Sequence, residues 1–339
     1  MDELKSNPNL SFSAALNEFT LERYTKVGAL PAWSIKLFSA KFNPALDSYA
    51  EIFQNMVGEH IANLLPPAHG KDWASINVWS SIIPLITKSN VRGFLGSDAA
   101  EDEVFLDVAG TFIINQIVYS IGAKQWPSFL LPIVHKYLPG FPGLAEQYSN
   151  GAKVVLRQMK NKKANGLKPL SDPPSVFDYV NDDASKLEKM DSFIKEVQRF
   201  CSPDLTTFQR KATGPVTLSN GFHLPKGARI EVATGAINAD AALYDNPSEF
   251  DRLRFYKKRH TEEARSKYQV LSVSKEDLAW GYGRAACPGM FLADMLIKMI
   301  LVEVLKRYDI KMPDGQGRYE NMEVQGQGEI LIRERDVNE

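Results

Sequence analysis

The sequence predicts a mainly α fold with small β-sheets. Apolar residues recur with a period near 3.6 over residues 46–64, 101–121 and 144–160, which indicates helices that bury one face. An Asn-Gly pair between two short apolar runs, at residues 220–221, indicates a β-hairpin. The chain has 339 residues, of which 44% are hydrophobic, and this is enough to build a substantial core.

The composition excludes several classes of protein. A net charge of −1 gives no electrostatic case for a nucleic acid or another polyanionic partner. Two cysteines, Cys201 and Cys287, are too few for a disulfide scaffold or a cysteine-rich zinc site, which favours an intracellular protein. The five histidines show no metal-ligand spacing.

Two features of the sequence concern membranes. The first residues carry mixed charge and no basic stretch followed by an apolar run, so no signal peptide is expected. The longest apolar stretch, residues 104–122, contains Asp107, Asn115 and Gln116. These polar side chains favour a buried amphipathic helix over a transmembrane span. We therefore expect no transmembrane anchor in these residues.

The second half of the chain gives local signals in order. A polar segment over 160–185 predicts a solvated loop. Ser185 and Glu188 form a capping-box pattern that predicts the start of a helix. The hairpin predicted over 216–224 leads into a further strand at 229–233.

The predicted helix after Ser185 carries a pair of opposite charges. Glu196 and Arg199 are three residues apart, so their side chains project from the same side and can interact. Such pairs are common on ordinary surface helices, and this pair gains weight only from its position before the segment described next.

The most informative segment is a glycine-rich loop directly before an apolar helical pattern. Its sequence is WGYGRAACPG, residues 280–289. Glycines let the backbone approach a large flat ligand closely and adopt dihedral angles that other residues avoid. Cys287 lies near a helix N-terminus, which favours the thiolate, and Arg284 offers a cation for a ligand carboxylate. The alternative interpretation is an inert cysteine in a loop.

This loop matches the pattern Phe/Trp-Gly-x-Gly-x-x-x-Cys-x-Gly and resembles the haem-ligand loop of the cytochrome P450 family. The resemblance implies that the Cys287 thiolate is the axial ligand of the iron in haem b. It also implies that Trp280, Gly281, Gly283 and Gly289 shape the cofactor site around it.

Upstream motifs resemble the same family in the same order. Glu196 and Arg199 match its Glu-x-x-Arg helix, and Arg254 ends a segment similar to its Pro-x-x-Phe-x-x-x-Arg-Phe motif. The resemblance implies that these three residues form a buried charge network behind the haem. A solvated basic cluster is the alternative for Arg254. Arg210 and Arg284 match positions that bind haem propionates.

The resemblance implies a reduced cytochrome P450-like fold in a single domain over 1–339, with a loosely matching helical part over 1–184 and a well-matching part over 185–339. The implied activity is monooxygenation of a lipophilic small molecule in fungal-type secondary metabolism. Electrons would come from NADPH through a cytochrome P450 reductase. The implied location is the cytoplasm or the periphery of the endoplasmic reticulum.

One element of the family is not found in the sequence. The family's oxygen-activating helix carries a threonine, but no threonine occurs between Thr111 and Thr206. Thr111 itself is followed by a proline-rich segment and does not fit that helix. We interpret the pattern as a deletion of the helix, so the residues that would activate oxygen remain unknown.

Several explanations of this deletion stay open. The chain could be a gene-model or splicing product of an ordinary monooxygenase, a reduced enzyme that catalyses a non-oxidative cyclisation or isomerisation, or a non-catalytic remnant that binds a ligand. The intact cysteine loop and charge motifs disfavour the remnant. A helical scaffold protein in which Cys287 is an inert core thiol is the alternative from a different class.

Overall fold

The computed structural model describes residues 1–64, 72–165, 184–202, 205–260, 267–316 and 328–335. The chain divides into two compact units. Unit 1 comprises Met1–Pro44 and Phe177–Met295, and unit 2 comprises Ala45–Val176 and Leu296–Glu339. All of the site residues predicted from the sequence lie in unit 1.

Helices dominate the described residues, as predicted. The α-helices are α1 Asp2–Ser6, α2 Phe12–Phe19, α3 Glu22–Thr25, α4 Ala32–Leu37, α5 Ala50–Ala62, α6 Val78–Leu95, α7 Ser97–Ala100, α8 Glu103–Lys124, α9 Leu131–Val134, α10 Phe141–Asn165, α11 Ala184–Phe200, α12 Thr234–Asn238, α13 Arg254–Arg259 and α14 Met290–Arg307. A π-helical turn at Phe38–Phe42 and a 3₁₀ helix at Asn43–Tyr49 precede α5, and further 3₁₀ turns lie at His135–Tyr137 and Gly283–Ala285.

The strands form three small antiparallel sheets. They are β1 Leu10–Ser11, β2 Ala74–Asn77, β3 Thr207–Ala212, β4 Val216–Thr217, β5 His223–Leu224, β6 Arg229–Val232, β7 Tyr308–Lys311 and β8 Glu329–Glu334. The strand orders are β1-β3-β6 and β4-β5 in unit 1, and β2-β8-β7 in unit 2. The predicted fold class, mainly α with small β-sheets, is confirmed.

In unit 1 the predicted hairpin is confirmed. Val216 pairs with Leu224 and Thr217 with His223. Gly221 has a φ of 84°, which an L side chain rarely adopts, so the glycine of the Asn-Gly pair permits the turn. A core of Leu10, Ala212, Val216 and Leu224 packs beneath these strands.

In unit 2 the three helices predicted from apolar periodicity are present as α5, α8 and α10. The Asp102 side chain caps α8 by accepting a hydrogen bond from the Phe105 amide at 3.1 Å. Arg157 of α10 donates to the same carboxylate at 2.7 Å and so ties the two helices together. Val91, Ala99, Ala100 and Phe105 form the core beside them.

The loop predicted over 160–185 is wrong at the two ends of that range, where the structure describes helix. Helix α10 continues to Asn165, because the lysines and alanine after residue 160 have adequate helix propensity. Residues 166–183 lie outside the described part of the chain. Helix α11 begins at Ala184, one residue before the predicted cap, and the Ser185 side chain is not among those described.

Residues 104–122 form a helix, as predicted, but the prediction that this helix is buried is wrong. The helix exists as α8, but only 22% of its most apolar 18-residue window is buried. Ile113 is 66% exposed and Ile121 is 53% exposed. Among the described residues, α8 alone is long and apolar enough to cross a membrane, by length and composition only. Apolar periodicity did not predict this exposure, because apolar side chains lie on all sides of the helix and distinguish no single face as the buried one.

Candidate functional site

The three residues predicted to form a charge network lie in contact. Helix α11 carries Glu196 and Arg199, and Arg254 begins α13. Arg199 donates to both carboxylate oxygens of Glu196, from Nε at 2.9 Å and from Nη2 at 2.7 Å. Arg254 Nε lies 3.1 and 3.2 Å from the same two oxygens. Glu196 is fully buried, and both arginines are only 6% exposed.

The remaining donors of the two arginines are satisfied by backbone carbonyls. Arg199 Nη1 donates to Asn238 O at 2.8 Å and to Pro247 O at 2.9 Å. Arg254 donates to the carbonyls of Asp245, Asn246 and Glu249. A buried charge is stable only when it is paired and hydrogen-bonded, and this network meets that condition. It therefore fixes the irregular chain between residues 238 and 254 against α11.

The glycine-rich loop is closed by its own backbone. The Cys287 amide donates to Trp280 O at 2.7 Å, and the Ala286 amide donates to Gly283 O at 3.1 Å. Gly281 and Gly283 have φ values of 83° and 68°, in the left-handed region where only glycine is unstrained. A Cβ on Gly281 would lie 2.9 Å from the Ala285 carbonyl oxygen. The loop conformation therefore favours glycine at both positions and leaves no room for a side chain at Gly281.

The two reactive side chains of the loop, those of Cys287 and Arg284, are exposed. The Cys287 side chain is exposed, three residues before α14 begins at Met290. Arg284 is also exposed, and it makes no hydrogen bond or ion pair with the residues that the structure describes. The Trp280 indole is anchored instead, because its Nε1 donates to Val270 O at 2.8 Å.

Arg210 is a buried cation on β3. It is 5% exposed, and its guanidinium donates to the backbone carbonyl of Gln209 at 2.8 Å. No carboxylate pairs with it among the described residues. Burial lowers the pKa of the Arg210 guanidinium, because the charged form loses hydration there.

A β-bulge directly before Arg210 was not predicted from the sequence. The register of β3 against β6 shifts between Thr207 and Arg210, and Phe208 has a φ of 55°. The Arg210 guanidinium carbon lies 3.9 Å from the centroid of the Phe208 ring. Bulges redirect side chains near functional sites, and a left-handed aromatic residue marks local strain. The Thr-Thr-Phe-Gln sequence before Arg210 gives no signal of either.

Tyr244 is a second site residue that the sequence did not indicate. Its ring lies 5.2 Å from the Arg199 guanidinium carbon and 4.9 Å from Lys258 Nζ. Burial, followed by the negative charge of Asp277, raises the pKa of Tyr244 to about 12. The Tyr244 side chain therefore lies beside the charge network as a neutral phenol.

Thr111, which the sequence analysis set aside, lies in unit 2 on α8. Its hydroxyl donates to the Asp107 carbonyl oxygen at 2.8 Å and accepts from Gln147 Nε2. This hydroxyl is thus engaged within unit 2, in contacts that serve helix packing.

Comparisons with known proteins agree on one family. The family model described as Cytochrome P450 matches residues 179–335. Cytochrome P450 monooxygenase BOA4 of Botryotinia fuckeliana is 26% identical, over 99% of this chain and 83% of its own length. Cytochrome P450 monooxygenase olcJ of Penicillium canescens is 25% identical, over 94% and 73%. The ent-kaurene oxidase of Fusarium fujikuroi is 22% identical, over 90% and 71%.

Solved structures show the same fold. The heme domain of cytochrome P450DA superposes with a TM-score of 0.65 at 12% identity, over 99% of this chain and 85% of that one. Ligand-free cytochrome P450 OleT superposes with a TM-score of 0.63 at 12% identity, over 100% and 88%.

The alignment with the Botryotinia relative also supports an internal deletion. It runs over 415 positions, whereas the chain has 339 residues, a difference of 76. An alignment begins and ends on matched residues, so at least 76 positions inside the matched span of the relative have no counterpart here.

Proposed function

We propose that the chain is a haem-thiolate enzyme of the cytochrome P450 family, which the family-model match and the relatives support, and that it binds haem b through Cys287. The family reaction is monooxygenation, and we propose it here on a lipophilic small molecule with electrons from NADPH through a reductase. The cysteine loop carries the proposal: its backbone is closed by hydrogen bonds, and it leaves the Cys287 thiol exposed.

The residues around the loop fit a flat dianionic ligand. Arg210 is a buried cation without a carboxylate partner among the described residues, and such a group gains from an anionic ligand. Arg284 offers a second cation at the loop itself. A Cβ on Gly289 would meet nothing within 4 Å, so the space beside this residue is open for a ligand. Haem propionates would pair with Arg210 and Arg284.

Each residue of the site would have a distinct role. When bound, the haem would supply the oxygen chemistry of the family. The Cys287 thiolate would hold the iron, and Trp280, Gly281 and Gly283 would keep the loop in its closed conformation. Glu196, Arg199 and Arg254 would act at a distance, because they fix the surrounding chain and touch no ligand-facing group of the loop.

A non-oxidative cyclase or isomerase is the second candidate. It is favoured by the positions that the Botryotinia relative has and this chain lacks, together with the absence of threonine between Thr111 and Thr206. Orientation of a flexible substrate can lower a barrier by several kcal/mol without any oxygen chemistry.

The first experiment is a carbon monoxide difference spectrum of the reduced, haem-supplemented protein. We expect a thiolate-type band in the wild type and in Cys201→Ala, and its loss in Cys287→Ala. Cys201 is the matched control, because it is the only other cysteine and is also exposed. A wild type without this band, or an unchanged band in Cys287→Ala, would refute the haem-thiolate proposal.

The second experiment separates the two candidate reactions. NADPH oxidation and dioxygen uptake are measured with a fungal cytochrome P450 reductase and the haem-loaded wild type. Uptake above the level of the Cys287→Ala variant supports monooxygenation. Reduction of the haem without dioxygen uptake favours the non-oxidative candidate.

A further inference from the structure

We propose that Asp191 and Lys195 of α11 are positioning residues for the cysteine loop. They belong to a second set of buried charges, distinct from the network around Glu196. Their effect on Cys287 can be measured without haem, and only its consequence for iron ligation rests on the proposed function.

Asp191 holds the chain that precedes the loop. Its side chain is buried, and Oδ2 accepts a hydrogen bond from the Val270 amide at 3.1 Å. The same oxygen lies 3.0 Å from Arg259 Nη2 of α13, whose side chain is only 10% exposed. A hydrogen bond that a backbone amide donates to a buried carboxylate is charge-assisted and stronger than a neutral one.

A continuous series of hydrogen bonds leads from Asp191 to the cysteine. The carbonyl of Val270 accepts from Trp280 Nε1 at 2.8 Å. The carbonyl of Trp280 in turn accepts from the Cys287 amide at 2.7 Å. Val270 is fully buried, so its peptide groups have no water to replace a lost partner.

Lys195 fixes the same segment at a second point. Its side chain is only 3% exposed, and its ammonium pairs with the Asp277 carboxylate. It also lies 3.5 Å from the Ser272 carbonyl oxygen. A cation buried this deeply is stable only when it is paired, so Lys195 holds Asp277, three residues before Trp280, against α11.

The two anchors explain why α11 carries more buried charge than its Glu-x-x-Arg pair requires. Glu196 and Arg199 hold the chain between residues 238 and 254, whereas Asp191 and Lys195 hold the chain between 270 and 277. Loss of the second pair should release the support of Trp280 and of the Cys287 amide while α11 itself stays folded.

The test uses hydrogen–deuterium exchange of the haem-free, full-length protein. Asp191→Asn, Lys195→Met and Trp280→Phe are compared with the controls Glu188→Gln and Lys189→Met, which make the same type of change at exposed positions of α11. We expect exchange in peptides that contain the Cys287 amide to quicken about tenfold in the three test variants, because Trp280→Phe loses a buried hydrogen bond and the other two lose a buried ion pair that supports one. Exchange within α11 should change less than twofold.

Two outcomes would overturn the proposal: unchanged exchange at Cys287 in folded Asp191→Asn and Lys195→Met, or equal acceleration in the control variants. If Asp191→Asn does not fold, Lys195→Met decides, because it removes the other anchor of α11 and leaves the bond between Asp191 and Val270 in place. In the haem-supplemented protein the same variants should lower the thiolate-type fraction of the carbon monoxide band. A wild type without that band would refute the proposed function. The positioning role would then be decided by the exchange result alone.

Discussion

At the scale of single residues, Glu196 is the residue at which we expect a small substitution to lower the free energy of unfolding most. It is fully buried and compensates two arginines. We expect Glu196→Gln, which keeps the shape and removes the charge, to lower the free energy of unfolding by about 3–5 kcal/mol, as for other broken buried pairs. Urea denaturation followed by tryptophan fluorescence measures it. Glu188→Gln on the same helix is the control, and an equal, small loss in both variants would contradict the expectation.

Tyr244 gives the protein a specific sensitivity to alkaline pH. Its pKa of about 12 in the folded protein exceeds the ordinary value of 10.0, so the unfolded chain loses this proton first. The stabilisation is complete below pH 10 and is lost as the pH rises toward 12. We expect the wild type to lose about 2 kcal/mol more than Tyr244→Phe between pH 9 and about 11.5. Tyr137→Phe, at a side chain that is 84% exposed, is the control, and parallel pH curves for the wild type and Tyr244→Phe would contradict the assignment.

At the scale of secondary-structure elements, the exposed side of α8 is the clearest departure from an ordinary core helix. Ile113 and Ile117 lie on that side, whereas Phe105 and Tyr119 are buried. We expect the double variant Ile113→Asn, Ile117→Asn to change the free energy of unfolding by less than about 0.5 kcal/mol and to reduce binding of a hydrophobic dye. Phe105→Asn should destabilise unit 2 instead. A large loss of stability in the double variant would show that this side is packed.

The elements themselves were predictable where one local signal dominated. Apolar periodicity located α5, α8 and α10, and the Asn220-Gly221 pair located the hairpin. Two-residue strands such as β1 were not predictable, because they exist only through pairing with a distant segment: Leu10 pairs with Ala212. Periodicity also could not say which side of α8 is covered, since burial depends on neighbours elsewhere in the chain.

At the scale of the whole molecule, the resemblance to the cytochrome P450 family and the charge network of Glu196, Arg199 and Arg254 followed from sequence motifs. Arg254 could be assigned to Glu196 because the spacing of motifs resembles a known order, and the structure places its Nε 3.1 Å from that carboxylate. Asp191, Lys195 and Tyr244 could not be assigned, because their partners lie tens of residues away and no local pattern marks them. The oxygen-activating threonine that the family resemblance implies has no counterpart between Thr111 and Thr206.

The link through Val270 has a consequence for how such proteins can diverge. Both of its hydrogen bonds, to Asp191 and to Trp280, use the main chain of residue 270. Leucine, isoleucine or any apolar side chain that fills the same space preserves the link, whereas proline removes the amide donor. Relatives can therefore inherit the same support for the cysteine while the identity of this residue drifts, and a search for invariant positions would pass over it.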